Sequence, residues 1–139
     1  MRILLDTSAL AKRYKIESGR DRVEAALEGA TAVVLAAHCK VEIASGLCRD
    51  MHDGALSAQA YAQMVERIEM DFADFEVRPI SAEIETYAMA AMERVRLRAM
   101  DAFHIGTAQA ARVSLFVTAD RQQALAAKAV GLKTELIEA

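Results

Sequence analysis

Five short apolar runs, at residues 3–5, 32–37, 75–80, 114–118 and 133–137, alternate along this chain with longer stretches that have helical periodicity. Each run is too short for a helix, and those at 3–5, 32–37 and 114–118 lack the in-and-out polarity of a half-exposed strand and read as strands buried on both faces. Pro79 marks the third run as an edge strand, because proline cannot donate to a ladder. The periodic stretches predict helices over 9–14, 18–28, 38–52, 57–73, 81–95, 101–112 and 121–130. In the fourth of them Tyr61, Val65, Ile68 and Phe72 recur at intervals of four, three and four residues, the stripe of an amphipathic helix. Thr7 and Ser8 can cap the first helix, Ser18 the second and Ser81 the fifth. Val41, Cys48 and Met51 are expected near the apolar face of the third.

Strands alternating with helices predict an α/β fold, a three-layer α/β/α sandwich around a mostly parallel sheet of about five strands. Right-handed crossovers place all strand C-terminal ends on one edge, and ligands bind there, where the strand order reverses. Asp6 follows the first strand and Asp120 the fourth, so both can reach such a crevice.

With 139 residues the chain reads as a single domain, 1–139, and with one proline and 54% hydrophobic residues it leaves little room for disorder. The apolar runs are too short to span a bilayer and the N-terminus has no signal-peptide pattern, so the expected location is the cytoplasm, with no membrane partner. Cys39 and Cys48 fall on opposite sides of one predicted helix, where they cannot pair.

The net charge of −3 argues weakly against a nucleic-acid partner, but the charge is unevenly spread. Residues 50–93 hold ten acidic side chains against two basic ones, while 94–139 hold seven basic against four acidic. If Asp6, Glu42, Asp101 and Asp120 belong to a metal pocket, both ends of the chain present a basic surface around it.

The decisive pattern lies in four short segments: Leu4-Leu5-Asp6-Thr7-Ser8-Ala9-Leu10, Val41-Glu42-Ile43-Ala44, Asp101-Ala102-Phe103-His104-Ile105 and Val117-Thr118-Ala119-Asp120. In order and spacing they resemble the signatures of PIN-domain ribonucleases, most of all the VapC-type toxins of bacterial and archaeal toxin–antitoxin systems. The resemblance implies that the four acids bind Mg2+ or Mn2+ and that RNA is cleaved to 5'-phosphate and 3'-hydroxyl ends. It makes Asp6 and Asp101 the main metal ligands, with Glu42 and Asp120 completing the pocket. It also implies a homodimer and a VapB-like antitoxin, for which the helices near 57–74 and 81–95 are candidate groove walls. A PIN-domain RNA-processing nuclease without an antitoxin, or a catalytically silent RNA- or protein-binding domain, is the alternative.

Chemistry agrees with the resemblance. Two carboxylates ~4 Å apart repel by about 4 kcal/mol at an effective dielectric near 20, a cost that a cation relieves. An all-oxygen set selects a hard divalent ion, which can activate water against a phosphate. A haloacid-dehalogenase-like phosphatase would want a second acid at Ser8, and a dinucleotide binder a glycine-rich loop after the first strand. Ser8 and Thr118, without a partnered base, read as hydrogen-bonding supports. His104, three residues after Asp101, either touches the site or packs beneath it. His38 and Glu42 are spaced for a metal pair, but no second histidine completes a zinc set. For RNA phosphates the candidates are Arg94, Arg96 and Arg98, aided by Lys12, Arg13 and Arg121.

Overall fold

The computed structural model describes residues 1–138. Five strands, β1 (Arg2–Leu5), β2 (Ala32–Ala36), β3 (Glu76–Arg78), β4 (Leu115–Thr118) and β5 (Thr134–Leu136), form one sheet in the order β3-β2-β1-β4-β5. Every pairing is parallel. The helices are α1 (Thr7–Leu10), continued by a 3-10 turn at Ala11–Arg13, α2 (Arg20–Glu28), α3 (Cys39–His52), α4 (Ala58–Phe72), α5 (Ala82–Arg94), α6 (Ala99–Ala110) and α7 (Arg121–Ala129).

The continuous apolar runs are explained by two cores. Ile3, Leu5, Leu35 and Val117 face α1–α4, where they meet Leu10, Val23, Ile43, Leu47, Ile68 and Phe72. Leu4, Val34 and Phe116 face the other way, onto Ala91 of α5, Ile105 and Ala108 of α6 and Ala126 and Ala127 of α7. The expected three-layer α/β architecture is therefore the observed one, with β3 at an edge.

The chain runs β1, β2, β3 outward in one direction and then returns to the other side of β1, so the order reverses between β1 and β4. The N-terminal end of α6 has to reach that crevice. Gly106 permits it: a Cβ there would lie 2.6 Å from the Ile84 carbonyl oxygen and 3.0 Å from the Ala88 nitrogen, so α5 and α6 approach backbone to backbone.

Local details depart from the sequence reading. Asp6, and neither Thr7 nor Ser8, caps α1, accepting the Ala9 N–H at 3.1 Å. Gly19 rather than Ser18 precedes α2, in a left-handed conformation (φ +90°) where a Cβ would strike Ile137. Val41 is 69% exposed, because the core stripe of α3 is Cys39, Ile43 and Leu47. α4 and α5 belong to opposite faces of the sheet and cannot wall one groove. Both cysteines are free.

Candidate active site

Four helix N-termini converge on the crevice, and each brings one acid. Asp6 caps α1, Glu42 lies in the first turn of α3, Asp101 in the first turn of α6, and Asp120 caps α7 through the Gln123 N–H. The positive ends of the helix dipoles favour carboxylates at these places and would favour a phosphate there too. All four acids line one pocket of about 380 Å³, with Thr7, Ser8, Ser45, His104, Arg49 and Arg98.

Asp6 is the most constrained. It is only 3% exposed. One carboxylate oxygen accepts Ser8 Oγ (2.7 Å) and the Ala9 N–H, and the other accepts Thr118 Oγ1. The two hydroxyls are held in turn, Ser8 Oγ accepting the Ala119 N–H and Thr118 Oγ1 the Asp120 N–H. A carboxylate offers about four lone-pair positions, so three donors leave one for a further positive partner. Burial raises the Asp6 carboxyl above the usual aspartate value, more than nearby His104 and these donors lower it.

Glu42 is held differently. Its Oε1 accepts Thr7 Oγ1 (2.5 Å) and faces His104 Nε2 (2.9 Å) and His38 Nε2 (3.3 Å). Burial would raise its carboxyl, but hydrogen bonds from His104 and Thr7 together with the two histidines keep it below the usual range. His104 is thus both buried (1% exposed) and in contact with the site.

Asp101 and Asp120 are bridged by Gln123, which is buried. Its backbone N–H donates to Asp120 and its side-chain amide donates to the Asp101 carbonyl oxygen, each at 3.0 Å. Among the described residues, the Asp101 carboxylate itself bonds to Arg98 Nε alone, at 3.4 Å.

Of the six expected basic contacts, Arg98 alone lines the pocket, with its side chain 86% exposed. Lys12 pairs with Glu17 and the Ser18 carbonyl, Arg13 with Glu24 and Asp71, and Arg94 donates to the Ala129 carbonyl at the end of α7. Arg121 pairs with Glu138, and Arg96 is exposed outside the pocket lining. Arg49 was missed, although Glu42, Ser45 and Arg49 follow the spacing of a single helical stripe. Thr7 and Gln123 were missed as well; the partners that give them a role are distant in sequence.

The PIN domain family model matches residues 3–129. The chain belongs to the PIN domain family. No curated protein matches it in sequence. Among solved structures, this PIN domain superposes on the crystal structure of FitAcB from Neisseria gonorrhoeae with TM-score 0.75 at 20% identity, covering 95% of each chain. VapBC2 from Rickettsia felis, bound to a DNA fragment from its promoter, gives 0.69 at 13% identity over 98% of each chain. VapC20 from Mycobacterium tuberculosis, a sarcin–ricin-loop-cleaving toxin, gives 0.69 at 16% identity over 94% of this chain and 95% of that one. These likenesses establish the fold.

The donors in the pocket fit a hard divalent ion. Apart from His104, whose imidazole faces Glu42, they are carboxylate and hydroxyl oxygens, and the one thiol nearby, Cys39, is pushed up to about 12 by burial and stays protonated.

Proposed function

We propose that this PIN domain is a Mg2+-dependent endoribonuclease, with Mn2+ able to substitute, and that it is the cytoplasmic toxin of a toxin–antitoxin pair. The observation that carries this reading is the convergence of Asp6, Glu42, Asp101 and Asp120 on one pocket at the sheet's reversal point, with Asp6 buried there. Asp6 and Asp101 would hold the metal, with Glu42 and Asp120 completing its surroundings. When bound, the metal supplies an acidified water and neutralises charge developing on the phosphate. Ser8 and Thr118 fix the orientation of Asp6, Thr7 and His104 that of Glu42, and Gln123 the spacing between α6 and α7. Arg98 and Arg49, which line the pocket, would hold flanking phosphates. Water attack in line on phosphorus would leave 5'-phosphate and 3'-hydroxyl ends.

An antitoxin partner is supported by the solved FitAcB and VapBC2 assemblies that share the fold. A VapB-like segment would find apolar surface between the 3-10 turn, α3 and α4, where Ile16 is 98% exposed beside Leu56 and Met64. Ile16→Asp is therefore a cleaner probe of antitoxin binding than changes at Tyr61, which bonds Cys48, or Phe72, which is buried. A homodimer completes the proposal.

The test is mapping of RNA 5' ends in cells expressing the chain beside Asp101→Asn, followed by cleavage of the mapped RNA with purified protein. The variant, or removal of metal by chelator, is expected to lower cleavage at least 100-fold, about 2.7 kcal/mol of barrier. Asp101→Asn is preferred to Asp6→Asn, which would replace one of two buried acceptor oxygens by an NH2 donor facing a group that now donates to it. Cleavage that persists in the variant, or in chelator, would overturn the reading.

A further inference from the structure

The second histidine that the sequence does not place beside His38 and Glu42 is supplied by the fold. α6 packs His104 against the first turn of α3, so that His104 Nε2 lies 2.9 Å and His38 Nε2 3.3 Å from the same oxygen of Glu42. The imidazole centroids are 4.4 Å apart, and one ligand atom from each of the three residues falls within 4.8 Å of the others. We propose that His38, Glu42 and His104 form a second metal site, for a borderline cation such as Zn2+, that overlaps the carboxylate pocket through Glu42.

Ligands at zinc distances on a tetrahedron stand roughly 3.4 Å apart, so the Glu42 oxygen and the two imidazoles need small adjustments to enclose an ion. Two imidazoles and one carboxylate make a set that catalytic zinc sites use, and nitrogen donors favour Zn2+ and Co2+ over Mg2+. Without an ion, His38 Nε2 lies 2.9 Å from the Met100 carbonyl and His104 Nε2 faces Glu42. To bind through Nε2, His38 gives up one hydrogen bond, and the exposed Met100 carbonyl can turn to water.

Occupancy would draw Glu42 toward the imidazoles, so Zn2+ should oppose Mg2+-dependent cleavage. That effect rests on the role proposed above for Glu42; the binding itself does not.

The experiment titrates the full chain with Co2+, whose visible absorption reports nitrogen ligation, and then displaces it with Zn2+. Wild type and Asp101→Asn are expected to give the same visible spectrum, saturating at one nitrogen-ligated Co2+ per chain, lost on addition of Zn2+ and retained in tenfold excess Mg2+. His38→Gln is expected to bind at least tenfold more weakly. His38→Asn, with circular dichroism as the folding check, replaces it if the longer amide disturbs α3. Equal Co2+ binding in the folded His38 variant, or loss of binding in Asp101→Asn alone, would overturn the site. If the nuclease reading alone fails, Mg2+-dependent cleavage is missing from wild type while the Co2+ spectrum remains.

Discussion

Asp71 and Asp6 are both withdrawn from water, and their charges are treated in opposite ways. Asp71 accepts Arg13 Nε at 2.9 Å and the Tyr14 hydroxyl at 2.8 Å, and Arg13 also reaches Glu24. Burial alone would raise the Asp71 carboxyl, but Arg13 and Tyr14 hold it below the usual value. Asp6 is more deeply buried and has hydroxyl and backbone donors but no lysine or arginine, so burial wins and its carboxyl is raised. One cluster carries its own cation and is electrostatically complete. The other holds Asp6 at the edge of the sheet without a cationic side chain of its own, and there the proposed metal would supply the charge.

The sharpest way to break this contrast is to offer a cation to both clusters. An ion that binds the folded protein alone stabilises it by about 2.7 kcal/mol at one hundred times its dissociation constant. Saturating Mg2+ should therefore raise the calorimetric melting temperature of the wild type by several degrees. Asp101→Asn should remove most of that rise and Asp71→Asn should keep it. A response that follows Asp71 instead would mean that the pocket's charge deficit has been misplaced.

Asp71→Asn itself should cost about 2 kcal/mol near neutral pH, the typical loss for hydrogen bonds to a charged group. The sign of its pH dependence follows from the depressed carboxyl. Its contribution is complete above the unfolded value near 3.8 and fades as pH falls through the lower folded value. The stability gap between wild type and Asp71→Asn, measured by urea denaturation, should be widest at neutral pH and close below pH 3.8. A gap that widened on acidification would contradict the Arg13 pairing.

The same contrast explains what could be read from the sequence. Ile3, Leu4 and Leu5 read as a strand buried on both sides because each has an apolar destination, alternately in the two cores. The acids were legible as a set from their order and local context. Which neighbour performs which task was not: Asp6, Thr7 and Ser8 can all cap a helix, and only the fold shows that Asp6 caps α1 while Thr7 turns to Glu42. Nor does charge alone distinguish Arg13, enclosed by two acids, from Arg98, open at the rim. His104 meets Glu42 across a separation of 62 residues, which no local spacing could disclose.

The basic residues give the finest test, because Arg13 and Arg98 carry the same charge with different company. RNA binding releases counterions, and each phosphate contact to a single strand contributes about 0.7 to the slope of log affinity against log salt. Arg98 and Arg49 line the pocket, whereas the guanidinium of Arg13 is already neutralised by Asp71 and Glu24. Measured by fluorescence anisotropy with metal-free protein, Arg98→Gln and Arg49→Gln should each weaken binding of a short single-stranded RNA less than tenfold and flatten the slope by about 0.7. Arg13→Gln should lower stability and leave the slope unchanged, since it removes a cation that no phosphate was contacting. Equal flattening in all three variants would show that RNA responds to the protein's total charge, and the distinction between complete and open clusters would then have no bearing on substrate binding.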